Sequence, residues 1–173
     1  EPLLVGVALV LNLPLPITAL QILWINLVAD GLPGIALTLE KGEKNIMDRP
    51  PDKPNAPLLT TEMKFIIFAI SLITDLILLA LFFWLLRESL PVHHIQTIIF
   101  TALGLGSLFY VYSLRSLKKN IWEYNPFSNM HLNGAVGIGL LALIAAVYLP
   151  LFQQLLGTVP LTIIDWIILT ALA

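Results

Sequence analysis

Asn26-Leu27-Val28-Ala29-Asp30-Gly31-Leu32-Pro33 sets an amide, a carboxylate, a glycine and a proline inside a run that is otherwise fit for a bilayer. A charged side chain at membrane depth costs about 2.5–3.5 kcal/mol on insertion scales, so such residues mark ion paths or partner contacts. Pro33 has no N–H, so the Ala29 carbonyl four residues earlier loses its usual donor. Gly31 makes local unwinding inexpensive. Asn26 and Asp30 are four apart and share one face of a helix. The expected product is a second helix unwound near Asp30–Pro33. It presents the Asn26 amide oxygen, two Asp30 oxygens and a freed carbonyl at Ala29. All are oxygen donors. They suit a hard cation such as Ca²⁺, which takes about 6–8 oxygens, and not a soft metal. The chain supplies about half of such a shell, and another segment or water must supply the rest. The alternative is a Pro-kinked helix whose Asp30 bonds a neighbouring helix. The coincidence of the Asn/Asp spacing with the Gly/Pro break favours the ion site.

The surroundings of this stretch set the fold class. The chain has 173 residues, 58% hydrophobic and 12% charged, which excludes an ordinary soluble domain. Its apolar runs approach the roughly 20 residues that a helix needs to cross a bilayer. The class is all-α, a polytopic membrane helix bundle of about six segments forming a single domain over 1–173. Glu1 to about Asn12 reads as the tail of a helix, and Leu13-Pro14-Leu15-Pro16 as a tight turn. Ile17 to about Leu39 is a full span, interrupted near Asp30. Met63 to Leu86, His93 to Leu114 and His131 to Leu149 are three more. Pro150 to Val159 reads as a link, and Pro160 to Ala173 as the start of a sixth helix. With no Cys, disulfides and thiolate metal sites are excluded. No basic, aromatic-interleaved patch of the kind nucleic acid needs is present.

Two polar connections remain, Glu40–Glu62 and Arg115–Met130. Together with its edge, that side holds Lys41, Lys44, Arg49, Lys53, Lys64, Arg115, Lys118 and Lys119; the other side holds only Arg87. This asymmetry assigns the 40–62 and 115–130 loops to the cytosol. Pro50, Pro51, Pro54 and Pro57 favour a stiff, extended first loop. Trp84, Trp122, Tyr124, Tyr148 and Trp166 lie near segment ends, where interfacial anchors belong. Short loops point to the plasma membrane of a prokaryote.

Other polar residues read more plainly. Asp75, mid-span, is expected to be protonated or hydrogen-bonded to a neighbouring helix. Asp165, His93, His94 and His131 fall at segment boundaries and read as interfacial residues. Gly134, Gly137, Gly139, Ala142, Ala145 and Ala146, with Gly104 and Gly106, read as small residues that let helices approach closely.

The stretch Gln21 to Pro33, followed by Ile46-Met47-Asp48-Arg49-Pro50-Pro51, closely resembles the sixth transmembrane helix and following cytosolic loop of P-type cation-transporting ATPases, the calcium pumps above all. The likeness extends over the chain as a pattern of helices, from the end of the family's fifth helix into its tenth. It implies that Asn26 and Asp30 coordinate the transported cation. By spacing, Glu1 stands where two-site calcium pumps carry a fifth-helix glutamate. Ala29 replaces a threonine ligand of those pumps, and the segment Ile95–Leu114 has no acid where they have an eighth-helix glutamate. The resemblance therefore implies one Ca²⁺ per cycle, with H⁺, Na⁺ and Mn²⁺ as alternatives. The expected partners are the lipid bilayer and the upstream membrane helices and cytosolic ATPase domains of the same polypeptide. No Asp-Lys-Thr-Gly-Thr phosphorylation motif occurs in these residues, so ATP and Mg²⁺ would act only through those other domains. The competing reading is a stand-alone bundle, a secondary transporter or channel, that reuses a broken helix.

Overall fold

A computed structural model describes residues 2–40, 61–115 and 128–172. Glu1 and most of both polar connections, with Trp122 and Tyr124, lie outside the described residues. The elements are α1 (Pro2–Val10), α2 (Ala19–Trp24), a π-helical stretch (Ile25–Gly31), α3 (Leu32–Leu37), α4 (Thr61–Arg87), α5 (Val92–Ser113), α6 (Met130–Tyr148), α7 (Pro150–Leu156) and α8 (Ile163–Leu172). No strand occurs among the described residues.

Four helices are long and apolar enough to cross a membrane: Ala19–Leu37, Met63–Arg87, Val92–Ser113 and Met130–Tyr148. They match the four full spans expected from hydropathy to within about two residues. The two other expected segments appear as the shorter α1 and α8. The expected link at Pro150–Val159 is instead mostly helical. Pro150 suits the first turn, where its missing N–H costs nothing. Gly157 ends α7 in the left-handed conformation at φ 67°, which a residue with a Cβ rarely adopts.

The turn after α1 has a clear cause. Asn12 sits at φ 52°, its N–H bonds the Leu9 carbonyl (3.2 Å), and the Leu13 N–H bonds the Ala8 carbonyl (2.9 Å). This pair of bonds closes a helix end when the residue beyond it turns left-handed. Pro14 and Pro16, which lack an N–H, then keep the chain out of helix until Ala19, with a bend at Pro16 and Ile17.

α5 is the axis of the bundle. Ile95, Gln96, Thr97, Ile98, Ile99, Phe100 and Thr101 are all buried, so this helix is covered on every side. Its neighbours are the π-helical stretch, α3, α4, α6 and α8. The buried hydroxyls turn inward on the helix itself: Thr97 donates to the His93 carbonyl and Thr101 to the Thr97 carbonyl, both at 2.7 Å. α4 is apolar but buries mainly Leu78, Leu79, Leu81, Phe82 and Leu85 near its end, leaving its first half exposed. Asp75 sits half-buried in its middle.

α5 and α6 run antiparallel along a reciprocal seam. Leu143 of α6 lies over Gly104, and Leu108 of α5 lies over Gly139. A Cβ at Gly104 would meet Leu143 Cδ1 at 3.0 Å, and one at Gly139 would meet Leu108 Cδ2 at 2.5 Å. Further along, the Tyr112 hydroxyl donates to Asn133 Oδ1 (2.9 Å). The expected packing role of the glycines thus holds at Gly104 and Gly139. A Cβ added at Gly106, Gly134 or Gly137 would meet no other element within 4 Å among the described residues.

Candidate cation site

The span that carries Asp30 begins with a capping box. Thr18 Oγ1 accepts the Gln21 N–H (3.3 Å), and Gln21 Oε1 accepts the Thr18 N–H (3.0 Å). Such reciprocal bonds satisfy two of the donors that a helix start leaves open. Gln21 is fully buried, and its Nε2 donates to the Leu156 carbonyl at 3.0 Å. The start of the span is thereby fastened to α7.

The expected interruption is present, but its form differs from an unwound loop. From Ile25 to Gly31 the backbone is a π-helix, closed by i→i+5 bonds. It stays right-handed throughout: Ile25 lies at φ −58°, ψ −53° and Gly31 at φ −65°, ψ −50°. Changing the bond pattern keeps most donors and acceptors paired, which an unwound stretch at membrane depth could not do without water or neighbours. Gly31 therefore does not serve through conformational freedom. A Cβ there would lie 3.3 Å from the Asn26 carbonyl oxygen, tighter than ordinary contact, so its missing side chain lets the wide turn close. Pro33, next to the π stretch in the first turn of α3, can donate no bond to the Ala29 carbonyl.

The π-helical turn sorts its residues by face. Ile25 and Ala29 are buried on the side that meets α5 and α6, and Trp24 packs edge-on against Phe100 with ring centroids 5.3 Å apart. Asn26 and Asp30 turn away from this core and are exposed, beside the exposed Leu23 and Leu27. In an α-helix of 3.6 residues per turn, residue i+4 falls just past a full revolution. In the wider π turn it falls just short, so Asn26 and Asp30 still share a face. The Ala29 side chain faces the core, and Glu1 lies outside the described residues. Among the described residues no group of three or more His, Cys, Asp or Glu could hold a metal. Asn26 and Asp30 thus form an exposed polar patch between apolar neighbours.

At the far end of the same span stands a cluster that sequence reasoning missed. Arg115, just past α5, donates from Nη2 to Glu40 Oε1 (2.7 Å) and from Nε to Glu40 Oε2 (3.1 Å). Asn129 Nδ2 donates to Glu40 Oε2 (2.8 Å), and the same nitrogen lies 3.4 Å from the Ala36 carbonyl. Asn129 Oδ1 also caps α6, accepting the Leu132 N–H at 3.0 Å. The Arg115 side chain is only 2% exposed and that of Glu40 23%. The hydrogen bond from Arg115 is the largest influence on Glu40; with the Asn129 bond and the Arg115 charge it outweighs burial and holds the carboxyl below its ordinary 4.5. The first polar connection therefore starts, and the second both starts and ends, at one end of the bundle. Opposite charges at the ends of two spans were the available signal, but their pairing across 75 positions is not visible in the chain.

The opposite end holds a second missed pair. His94 Nε2 lies 3.2 Å from Asp165 Oδ2, joining α5 to α8. The same oxygen accepts the Thr162 N–H (2.7 Å) and hydroxyl (2.8 Å). His94 and Asp165 remain segment-boundary residues as expected, but they are each other's partner. Nearby, the Trp166 indole donates to the Tyr148 hydroxyl (2.8 Å), which donates to the Leu161 carbonyl (3.0 Å).

The fold and this patch together define an α-helical integral membrane domain with an intramembrane carboxylate on an irregular helix. The family described as "Cation transporting ATPase, C-terminus" matches residues 14–173. The chain is 33% identical to the calcium-transporting ATPase of Bacillus subtilis, over all of this chain and 19% of the relative. It is 30% identical to the human calcium-transporting ATPase type 2C member 1, over 98% of this chain and 18% of that protein. The yeast calcium-transporting ATPase 1 is similar at 31%, over 96% of the chain and 18% of its own length. The chain belongs to the cation-transporting ATPase family, as a C-terminal membrane domain. It spans about a fifth of the length of the curated relatives it matches.

Proposed function

We propose that this domain is the C-terminal membrane part of an ATP-driven P-type pump, in which Asn26 and Asp30 bind the transported cation, Ca²⁺ first among the candidates. One observation carries the reading: the single π-helical stretch among the described residues holds Asn26 and Asp30 on one uncovered face of a span whose other polar side chain, Gln21, is buried. An ionised Asp30 in a hydrocarbon environment is costly, and a cation coordinated by its carboxylate removes that cost. The Asn26 amide oxygen adds a neutral ligand, and Ala29 offers its backbone carbonyl. The other ligands come from upstream helices covering this face, and Glu1 is a further candidate by its sequence spacing from Asn26 alone. The names of the relatives support Ca²⁺, and the all-oxygen donor set agrees with that ion. ATP and Mg²⁺ belong to cytosolic domains beyond this segment. The basic end, with the loops 40–62 and 115–130, faces the cytosol of a prokaryotic cell in this reading.

The test is Asp30→Asn in the full-length protein. It should abolish cation-dependent phosphorylation by ATP while the protein still accumulates in the membrane. Normal ion-stimulated turnover in that variant overturns the assignment.

A further inference from the structure

The span carrying Asp30 is tied at both ends and irregular only between them. At one end Gln21 holds the Leu156 carbonyl. At the other, Glu40 receives two bonds from Arg115 and one from Asn129, and the Asn129 amide also reaches the Ala36 carbonyl. Glu40 lies ten residues beyond Asp30, about 15 Å along a helix. Between them run α3 and one closing turn, in which the Leu39 N–H bonds the Ala36 carbonyl (3.2 Å) and the Glu40 N–H bonds the Leu37 carbonyl (3.0 Å). A hydrogen-bonded segment of this kind transmits rotation about its axis better than a loop would. A turn of the segment at Glu40 must then be absorbed in the π-helical stretch, where the bonding pattern already departs from that of its flanks. Rotation there re-aims Asn26 and Asp30.

The geometry points to Arg115, Glu40 and Asn129 as positioning residues for the cation site, a clamp that fixes the rotational setting of Leu32–Glu40 and through it the direction of Asp30. The pairing chemistry suits that task. A two-pronged guanidinium–carboxylate pair fixes the angle between its groups as well as their distance, and a lysine would not. Arg115 is nearly fully buried, so it has little freedom to follow a displaced Glu40. Asn129 is 6% exposed and caps α6, so the clamp refers the span to two helices at once.

This inference rests on the cation-site reading above, and the experiment separates the two. Glu40→Gln, Arg115→Gln and the double variant are made in the full-length protein beside Asp30→Asn and Gly139→Ala. Phosphorylation by ATP is then measured as a function of Ca²⁺ concentration. Groups that orient metal ligands change affinity by about 10–100-fold when lost, so each clamp variant should raise half-saturating Ca²⁺ by about tenfold. The maximal phosphoenzyme per mole of folded protein should stay near wild type. The double variant should shift no further than the larger single one, because the two residues act through one another. Gly139→Ala loosens the α5–α6 seam away from the clamp, and should lower stability without moving half-saturation. If Asp30→Asn keeps normal Ca²⁺-dependent phosphorylation, the site reading fails. If Asp30→Asn is inactive while the clamp variants keep wild-type half-saturation, or shift additively, the clamp is overturned and the site stands. Should Arg115→Gln fail to accumulate, Glu40→Gln, which keeps the side chain's size and one accepting oxygen but sets an amide nitrogen in place of the other, decides by the same shift.

Discussion

Replacing Gly139 by alanine tests the reciprocal seam on which α5 and α6 rest. The added Cβ would lie 2.5 Å from Leu108 Cδ2, with Leu108 Cδ1 and Cγ at 3.4 and 3.5 Å. Carbon atoms make ordinary contact at about 3.5–4.0 Å, so the Leu108 terminus must retreat by about 1 Å. Leu108 is fully buried, and rotating its end exchanges one close methyl for the other. Overpacking of this kind costs about 1–3 kcal/mol. Alanine's better helix propensity returns up to about 1 kcal/mol, measured in water. The net expectation is a loss of about 1–2 kcal/mol. Leu108→Ala alone opens a cavity and should cost about 2–5 kcal/mol. In the double variant the new methyl of residue 139 enters the vacated space. The combined loss should therefore fall below the sum by about 1–2 kcal/mol. The assay is reversible unfolding of the purified protein in mixed detergent–SDS micelles, followed by tryptophan fluorescence. A neutral or stabilising Gly139→Ala, or a coupling below about 0.5 kcal/mol, refutes the packing argument.

Two further outcomes follow from the polar contacts, beside those given for Asp30 and the clamp. Gln21→Ala removes the side-chain half of the capping box and the donor to the Leu156 carbonyl, and should cost about 2–4 kcal/mol in the same unfolding assay. Gln21→Glu should not restore it, since an ionised carboxylate has no donor for that carbonyl. Glu40 sets a pH dependence whose sign is fixed by its lowered pKa. The folded state holds the carboxylate ionised, so its stabilisation is complete above the ordinary value of 4.5 and is lost as pH falls through the lower folded value. Thermal stability in detergent at pH 7 and at progressively lower pH should show wild type converging on Glu40→Gln in acid. Equal separation of the two at all pH values would contradict the pairing with Arg115.

Much of this molecule is legible along the chain. Each of the four spans is an apolar run that only a helix can carry through hydrocarbon, because every backbone donor and acceptor must be satisfied within the segment. Hydropathy therefore placed Ala19–Leu37, Met63–Arg87, Val92–Ser113 and Met130–Tyr148 closely. The oxygen-bearing break was equally visible, since Pro33 removes a donor and Asn26 and Asp30 share a face at any helical pitch near 3.6. Local chemistry did not choose between unwinding the backbone there and widening it. That choice depends on burial of Ile25 and Ala29 against α5 and α6, which rewards a continuous helix.

The amino-acid sequence by itself determined the class, the spans and the polar patch, because each follows from the bilayer and from bonds made within a few residues. Only the tertiary structure decided that Glu40 meets Arg115, that His94 meets Asp165 and that Gln21 reaches Leu156. Those partners stand 75, 71 and 135 positions apart. A charged or amide group near a helix end declares that it needs a partner, but the helix packing selects which one comes within hydrogen-bonding distance.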